Sequence, residues 1–262
     1  EPGVHQRRDC IEVISSCLHQ GIRAAPLSMP LLLKKLYDRG IDLEQQYLTI
    51  ALSKGTLLKP TVILFEKAEL PTAGVDDDSR SMVFDYPEYM IRYIMCRPTD
   101  VPTYVEQGAA DLGIVGKDVI VEQGKDVFEM VDLQYGYCRF VVAAPEAMRE
   151  ARLADLNYKR VATKFPVTAE RFFRQQGLQV EIIKLHGNIE LAPLMGLSDV
   201  IVDIVSTGRT LRENNLFEIV KIMDSTTRLI CNRVSYRTKY ERIQPLIDKL
   251  QSLVKGGYND EN

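Results

Sequence analysis

The sequence predicts an α/β protein of two lobes built on largely parallel sheets. Short runs rich in Val and Ile alternate with helical stretches at the spacing of strand–helix units. The 262 residues exceed one average domain, yet 45% are hydrophobic and 26% charged, as in an ordinary globular chain. The units also fall into two sets, residues 47–136 with about 222–256 for one lobe and 137–221 for the other. A net charge of -3 excludes a strongly basic protein whose partner is nucleic acid.

Residues 1–46 read as an N-terminal extension of unknown role. IEVISSCL forms a short helix or strand, RAAPLSMP is a proline-punctuated connector, and LLLKKLYDRG is an amphipathic helix closed by Gly40. From Tyr47 the pattern is regular. LTIALSKG is a strand entering a turn, and LLKPTVILFEKAEL is a helix with Pro60 tolerated in its first turn. GVDDDSRS is a polar loop and YMIRYIMCR a second strand. DVPTYVEQGAA is a helix opened by Asp100 at the N-cap and ended by Gly108. DLGIVGKD is a strand entering a glycine turn. CRFVVAAP, RVATKF, VEIIKLHG and DVIVDIVS are further strands, with TAERFFRQQG a helix among them. RIQPLIDKLQSLVKG is an amphipathic helix ending at Gly256.

Cys10, Cys17, Cys96, Cys138 and Cys231 make no C-x-x-C pair and no zinc spacing with His5, His19 and His186. They read as reduced thiols of a cytosolic protein, with Cys138 and Cys231 in apolar strands, the latter in RLIC, as core residues. No apolar run reaches the roughly 18 residues of a spanning helix, and EPGVHQRRDC is too polar for a secretory signal.

The most informative stretch is VIVDIVSTGRT, residues 200–210. As a buried parallel strand it would carry Asp203, with Ser206 to Thr210 just past its carboxyl end and a helix beginning at TLREN. The N–H groups of such a turn and the positive helix end favour an anion by about 0.3–1 kcal/mol. Gly208 allows a phosphate to approach the backbone, and Thr207 and Thr210 add hydroxyl donors. A carboxylate is useful there only if the ligand also offers hydroxyls, as a sugar phosphate does. The competing reading is a Ser/Thr helix cap with an incidental Asp. No G-x-x-x-x-G-K-[ST] and no G-x-G-x-x-G follows a strand, which weighs against triphosphate hydrolysis and dinucleotide chemistry.

Extended backwards, ELAPLMGLSDVIVDIVSTGRTL (190–211) resembles the signature of the ATP phosphoribosyltransferase family. LTIALSKG (48–55), DVPTYVEQGAADLGIVGKDV (100–119) and RLICNRVSY (228–236) resemble it in the same order, over roughly residues 48–254. The resemblance implies the first step of histidine biosynthesis, in which N1 of ATP attacks C1 of phosphoribosyl pyrophosphate and pyrophosphate leaves, with Mg2+. It implies two lobes like a type II periplasmic binding protein, with the active site in the cleft between them.

By residue, the resemblance puts Ser206, Thr207, Gly208, Arg209 and Thr210 on the 5-phosphate and Asp203 and Glu190 on the ribose hydroxyls. It puts Lys54, Gly55 and Arg80 near the pyrophosphate or triphosphate, with Asp100 and Lys117 as further substrate-facing positions and no protein metal ligand. Lys164 either meets a phosphate or ends a strand in solvent, and the run Asp76–Asp78 reads as a solvated loop. Thr56 stands where the family usually has Arg, Asn215 where it has glycine, and Asn188 where it has serine. The resemblance is to the short form, without a C-terminal regulatory domain; it implies a homodimer and a regulatory partner similar to histidyl-tRNA synthetase. The rival reading is a non-catalytic ligand-binding module on the same fold.

Overall fold

The computed structural model describes residues 47–257. The expectations for the N-terminal extension, with Gly40, Cys10, Cys17, His5 and His19, lie outside them. The chain forms two compact units, the larger holding Leu48–Asp85 and the residues from Arg92 onward. Of the smaller, the described part is Tyr47 and Tyr86–Ile91, where Met90 N–H donates to the Pro87 carbonyl at 3.2 Å. No helix of the described residues is long and apolar enough to cross a membrane.

The elements run β1 (Leu48–Ser53), α1 (Leu58–Lys67), β2 (Val83–Tyr86), β3 (Ile91–Cys96), α2 (Val101–Glu106), β4 (Leu112–Gly116), α3 (Lys117–Gln123) and β5 (Phe128–Asp132). Then come β6 (Cys138–Pro145), β7 (Arg160–Thr163), α4 (Pro166–Gln175), β8 (Glu181–Lys184), α5 (Leu191–Leu194), β9 (Val200–Val205), α6 (Arg209–Glu213) and β10 (Leu216–Ser225). β11 (Thr227–Cys231), α7 (Arg233–Thr238) and α8 (Tyr240–Lys255) close the chain. One sheet has the order β2-β3-β1-β4-β11-β5, the other β10-β6-β9-β7-β8.

Both sheets are mixed, which corrects the expectation of largely parallel ones. β1 pairs parallel with β4, and β7 parallel with β8 and β9. β11 runs against β4 and β5, and β6 against β9 and β10. β6 and β11 are the strands by which the chain enters each sheet from the other. They arrive without a helical crossover, so nothing forces them parallel.

The second sheet is covered on both faces. Phe140, Val142, Val200 and Val202 pack with Ala169, Phe172 and Phe173 of α4, while Val141, Ala143, Ile201 and Val205 pack with Ile189, Ala192 and Leu211 on the other face. Two covered faces explain why its strands read as continuous apolar runs rather than alternations. Asp203 shares the face of Ile201 and Val205, so a carboxylate interrupts an otherwise apolar surface.

Three strands were missed in the sequence: VFDY, FEMVD and LFEIVKIMDS. The last lies at a sheet edge with register shifts at Glu218/Val220 and Lys221/Met223, and such irregularities break the two-residue period that betrays a strand. It continues to Ser225. Gly116 is extended (φ -68, ψ 145) and α3 starts at once, so no glycine turn follows β4. Asp100 sits at the N-cap position of α2 but makes no side-chain cap bond. Asn232 caps instead: its Oδ1 accepts from Val234 N and Ser235 N at 2.9 Å, and its Nδ2 donates to Val105 O at 2.7 Å, joining the start of α7 to the end of α2. Asn215 takes φ +52, the left-handed conformation that Asn tolerates.

The two crossings between sheets run side by side. Leu133 N donates to Thr227 O and Thr227 N to Tyr135 O, each at 2.9 Å, and Lys117 N donates to Thr226 O at 3.0 Å. Gly136 lies in this knot at φ +65, where a Cβ would come within 2.5 Å of Leu57 Cδ2 and 2.8 Å of Thr227 Oγ1. Gly136→Ala should therefore cost about 1–3 kcal/mol through strain and overpacking. The check is a lowered urea midpoint at unchanged slope.

Candidate functional site

Lys164, Glu190 and Asp203, with Ile204–Leu211 from the end of β9 through the turn into α6, line a cavity of about 250 Å³ at the carboxyl end of β9. Its floor is the turn expected from the sequence. Gly208, at φ +72, is the N-cap of α6 and has no side-chain cap bond. A first turn without a cap leaves N–H groups unsatisfied and available to an anion. The competing reading of a Ser/Thr cap finds only a long contact, Arg209 N to Thr207 Oγ1 at 3.4 Å.

Two arginines that the sequence reading missed brace the loop from behind. Arg139 Nη1 donates to Ser206 O at 3.1 Å while its Nε holds Glu218 at 3.2 Å, and Arg212 Nη1 donates to Thr207 O at 3.2 Å. By engaging carbonyls they fix the orientation of the turn. Arg139 is 67 positions from Ser206, and no local pattern could have found it.

Asp203 is 7% exposed, and its Oδ1 accepts the N–H of Ile204 at 2.9 Å. Lys164 Nζ lies 3.9 Å from the same oxygen. Burial raises the pKa of the Asp203 carboxyl; Lys164 and the Ile204 N–H oppose this and Glu190 adds to it. Glu190 is half-buried at the start of α5. Two carboxylates, a lysine and an anion-accepting turn around one cavity suit a ligand with both hydroxyls and a phosphate.

The structure thus gathers Glu190, Asp203 and Ser206–Thr210 as expected, and adds Lys164. Lys54, Gly55 and Arg80 form a second group on the other sheet. Lys54 Nζ donates to Ser79 O at 3.3 Å, beside the exposed Arg80, and Gly55 N donates to Asp77 Oδ1 at 2.8 Å. Asp77 thereby ties the acidic loop to the β1 turn, a structural role not foreseen for that run. Lys54 and Lys117 follow the carboxyl ends of neighbouring parallel strands, where open α/β sheets bind ligands. The Lys117 ammonium is paired with Glu129. Asp100 is exposed and accepts from Thr99 Oγ1 at 3.3 Å. His186 is exposed and does not line the cavity. The Cys231 thiol is pushed up to about 12 by burial and Cys96 to about 11, which makes both poor nucleophiles.

A family model described as ATP phosphoribosyltransferase matches residues 97–252. A curated ATP phosphoribosyltransferase from Syntrophomonas wolfei is 77% identical over 211 residues, 80% of this chain and 97% of the relative. The chain belongs to the ATP phosphoribosyltransferase family. Its activity is therefore the first step of histidine biosynthesis, the transfer of phosphoribosyl from phosphoribosyl pyrophosphate to ATP with release of pyrophosphate. A relative of the same name from Moorella thermoacetica is 58% identical over 209 residues, 78% of this chain and 92% of the relative. Among solved structures, the ATP phosphoribosyl transferase (HisG:HisZ) complex from Thermotoga maritima is 36% identical with a TM-score of 0.68, covering 80% of this chain and all of that one. The aliphatic sulphonate binding protein SsuA from Escherichia coli matches at a TM-score of 0.52 and 16% identity, covering 80% of this chain and 74% of that one. That likeness is one of fold alone, so the binding-module reading is not favoured.

Because the folded state holds the Asp203 proton to higher pH than the unfolded chain, the stability tied to this group is full below the unfolded pKa. It is lost as pH rises through the raised folded value. Asp203→Asn should therefore melt above the parent at neutral pH, with the difference vanishing in acid; paired thermal melts at the two pH values check it.

Proposed function

We propose that the cavity beside β9 holds the ribose 5-phosphate half of phosphoribosyl pyrophosphate in the family's reaction. The observation that carries this is the uncapped left-handed turn at Gly208 set beside a buried carboxylate in one cavity. Ser206, Thr207, Gly208, Arg209 and Thr210 receive the phosphate, and Asp203 and Glu190 accept hydrogen bonds from the ribose hydroxyls. Lys54, Gly55 and Arg80 face the pyrophosphate or the triphosphate, with Lys117 and Asp100 nearer the periphery. The two sheets mark two lobes, with the active site in the cleft between them.

In the reaction, adenine N1 supplies the electron pair of the new bond to C1, and the C1–O bond breaks with its pair leaving on pyrophosphate. The carbon acquires cationic character as the anion departs, so the protein's tasks are alignment and charge placement. Holding the 5-phosphate and both hydroxyls fixes C1 against a nucleophile that is weak by itself. A buried carboxylate near the ribose also favours positive charge on the ring. Phosphoribosyl transfer generally takes a divalent metal, and we assign Mg2+. An ion carried mainly by the substrate phosphates needs few protein ligands. When bound, it would neutralise charge on the leaving group.

By extension from the ATP phosphoribosyl transferase (HisG:HisZ) complex of Thermotoga maritima, this chain is a catalytic subunit paired with a separate regulatory subunit; the family resemblance adds a homodimer in the cytoplasm and a regulatory subunit similar to histidyl-tRNA synthetase. Pyrophosphate release requiring both ATP and phosphoribosyl pyrophosphate, and changing when that subunit is added, tests both parts. Thr207→Ala and Asp203→Ala should each raise the KM for phosphoribosyl pyrophosphate or lower kcat by about tenfold or more, equivalent to about 1.4 kcal/mol; unchanged kinetics in both would remove the site assignment. Thr56 is exposed, and Thr56→Arg should raise kcat more than it alters KM by adding a cation near the leaving group. A slower variant would mean that the chain already solves this charge another way.

A further inference from the structure

Lys164 directly follows β7, and the pairing of Thr163 with Val202 brings Lys164 and Asp203 out side by side. The two sit 3.9 Å apart, the lysine side chain 38% exposed and the aspartate 10%. That separation is an ion pair without a good hydrogen bond, so the ammonium still has its donors to offer.

The surroundings leave Asp203 dependent on this one cation. Glu190 lines the same cavity as a second carboxylate. Arg209 lines the same cavity, but its Nε is bonded to Glu213 at 2.7 Å. On the neighbouring strand, β6 places Val141 opposite. A carboxylate so enclosed, with a like charge beside it, is driven towards its neutral form unless an opposite charge intervenes. A neutral carboxyl accepts hydrogen bonds poorly, and the ribose hydroxyls need an acceptor.

The loop carrying Lys164 is held from both sides. Phe165 N donates to the buried Thr163 Oγ1 at 2.9 Å, and the Phe165 ring meets Phe140 edge-on at 4.9 Å between centroids. Glu122 of α3 accepts from Val167 N at 3.1 Å, Thr168 N at 2.9 Å and Thr168 Oγ1 at 2.8 Å, fixing the first turn of α4. The lysine therefore projects from a set position.

We propose that Lys164 is a positioning residue for the transfer reaction, the charge partner that holds Asp203 in its ionised, acceptor state when the ribose hydroxyls arrive. This rests on reading the cavity as the ribose phosphate site.

The test is steady-state pyrophosphate release by full-length Lys164→Met and Lys164→Arg across the acidic limb of the pH profile, with thermal melts alongside. Lys164→Met is expected to raise the KM for phosphoribosyl pyrophosphate about tenfold, to leave the KM for ATP within about twofold, and to move the acidic limb of kcat/KM up by about one pH unit. Lys164→Arg restores the limb. An acidic limb that stays in place in the Met variant overturns the proposal, even if stability or both KM values change. If the Met variant does not fold, Lys164→Gln carries the same measurement. Asp203→Ala, run in parallel, separates the two readings: if it leaves the KM for phosphoribosyl pyrophosphate unchanged, the cavity assignment falls. If Asp203→Ala is impaired and Lys164→Met keeps the parent's profile, only the role of Lys164 falls.

Discussion

Everything in this fold hangs on a few backbone hydrogen bonds where two stretches of chain cross between the sheets. Leu133 and Tyr135 pair with Thr227, and Thr226 accepts from Lys117 at the head of α3. Ser225 is tied in as well, since its Oγ accepts from Asp118 N and donates to Asp118 Oδ1, both at 2.9 Å. Buried backbone polar groups must be satisfied, and the crossings do this by pairing with one another and with the head of α3. Gly136 is there because only a residue without Cβ fits so close to Leu57 and Thr227 at a positive φ. The same junction sets the entry of β6 and the exit of β10, and so the frame on which β9 and its cavity are built.

Two buried aspartates show how the chain separates structure from chemistry. Asp111, 4% exposed, accepts from Thr49 N at 2.9 Å, Ser235 Oγ at 2.6 Å and Lys239 Nζ at 2.7 Å. Its carboxylate is fully engaged and joins β1, α7 and the residue before α8. Asp203 is almost as enclosed, yet it accepts from its neighbour's N–H and faces Lys164 at ion-pair distance. The second arrangement is poor as architecture, since burying a charge with few partners costs stability. It is good as a binding site, because the unfilled acceptor capacity is what a ribose would use. The uncapped helix start at Gly208 follows the same logic.

Local chemistry was readable wherever a residue's task depends on its neighbours in sequence. The strand–turn–helix unit at 200–213, the turn at Gly55, the helix end near Gly108 and the helix ending at Lys255 all follow from patterns a few residues long, and the positive φ of Gly55, Gly108 and Gly208 accords with them. Strand direction did not, because β6 and β11 owe theirs to the route of the chain between sheets. β10 escaped notice because its bulges break the alternation that marks a strand.

The sequence by itself determined the fold class, the strand–turn–helix unit after β9 with its glycine and hydroxyls, and the family, since these reside in residue types at short fixed spacings. Only the tertiary structure decided which charges share a cavity. Lys164 and Asp203 are brought together by the register of β7 on β9, Arg139 reaches Ser206 from β6, and Glu122 meets the start of α4. Coulomb forces and hydrogen bonds act over a few ångströms of space, and residues tens of positions apart acquire those distances only when the strands pair.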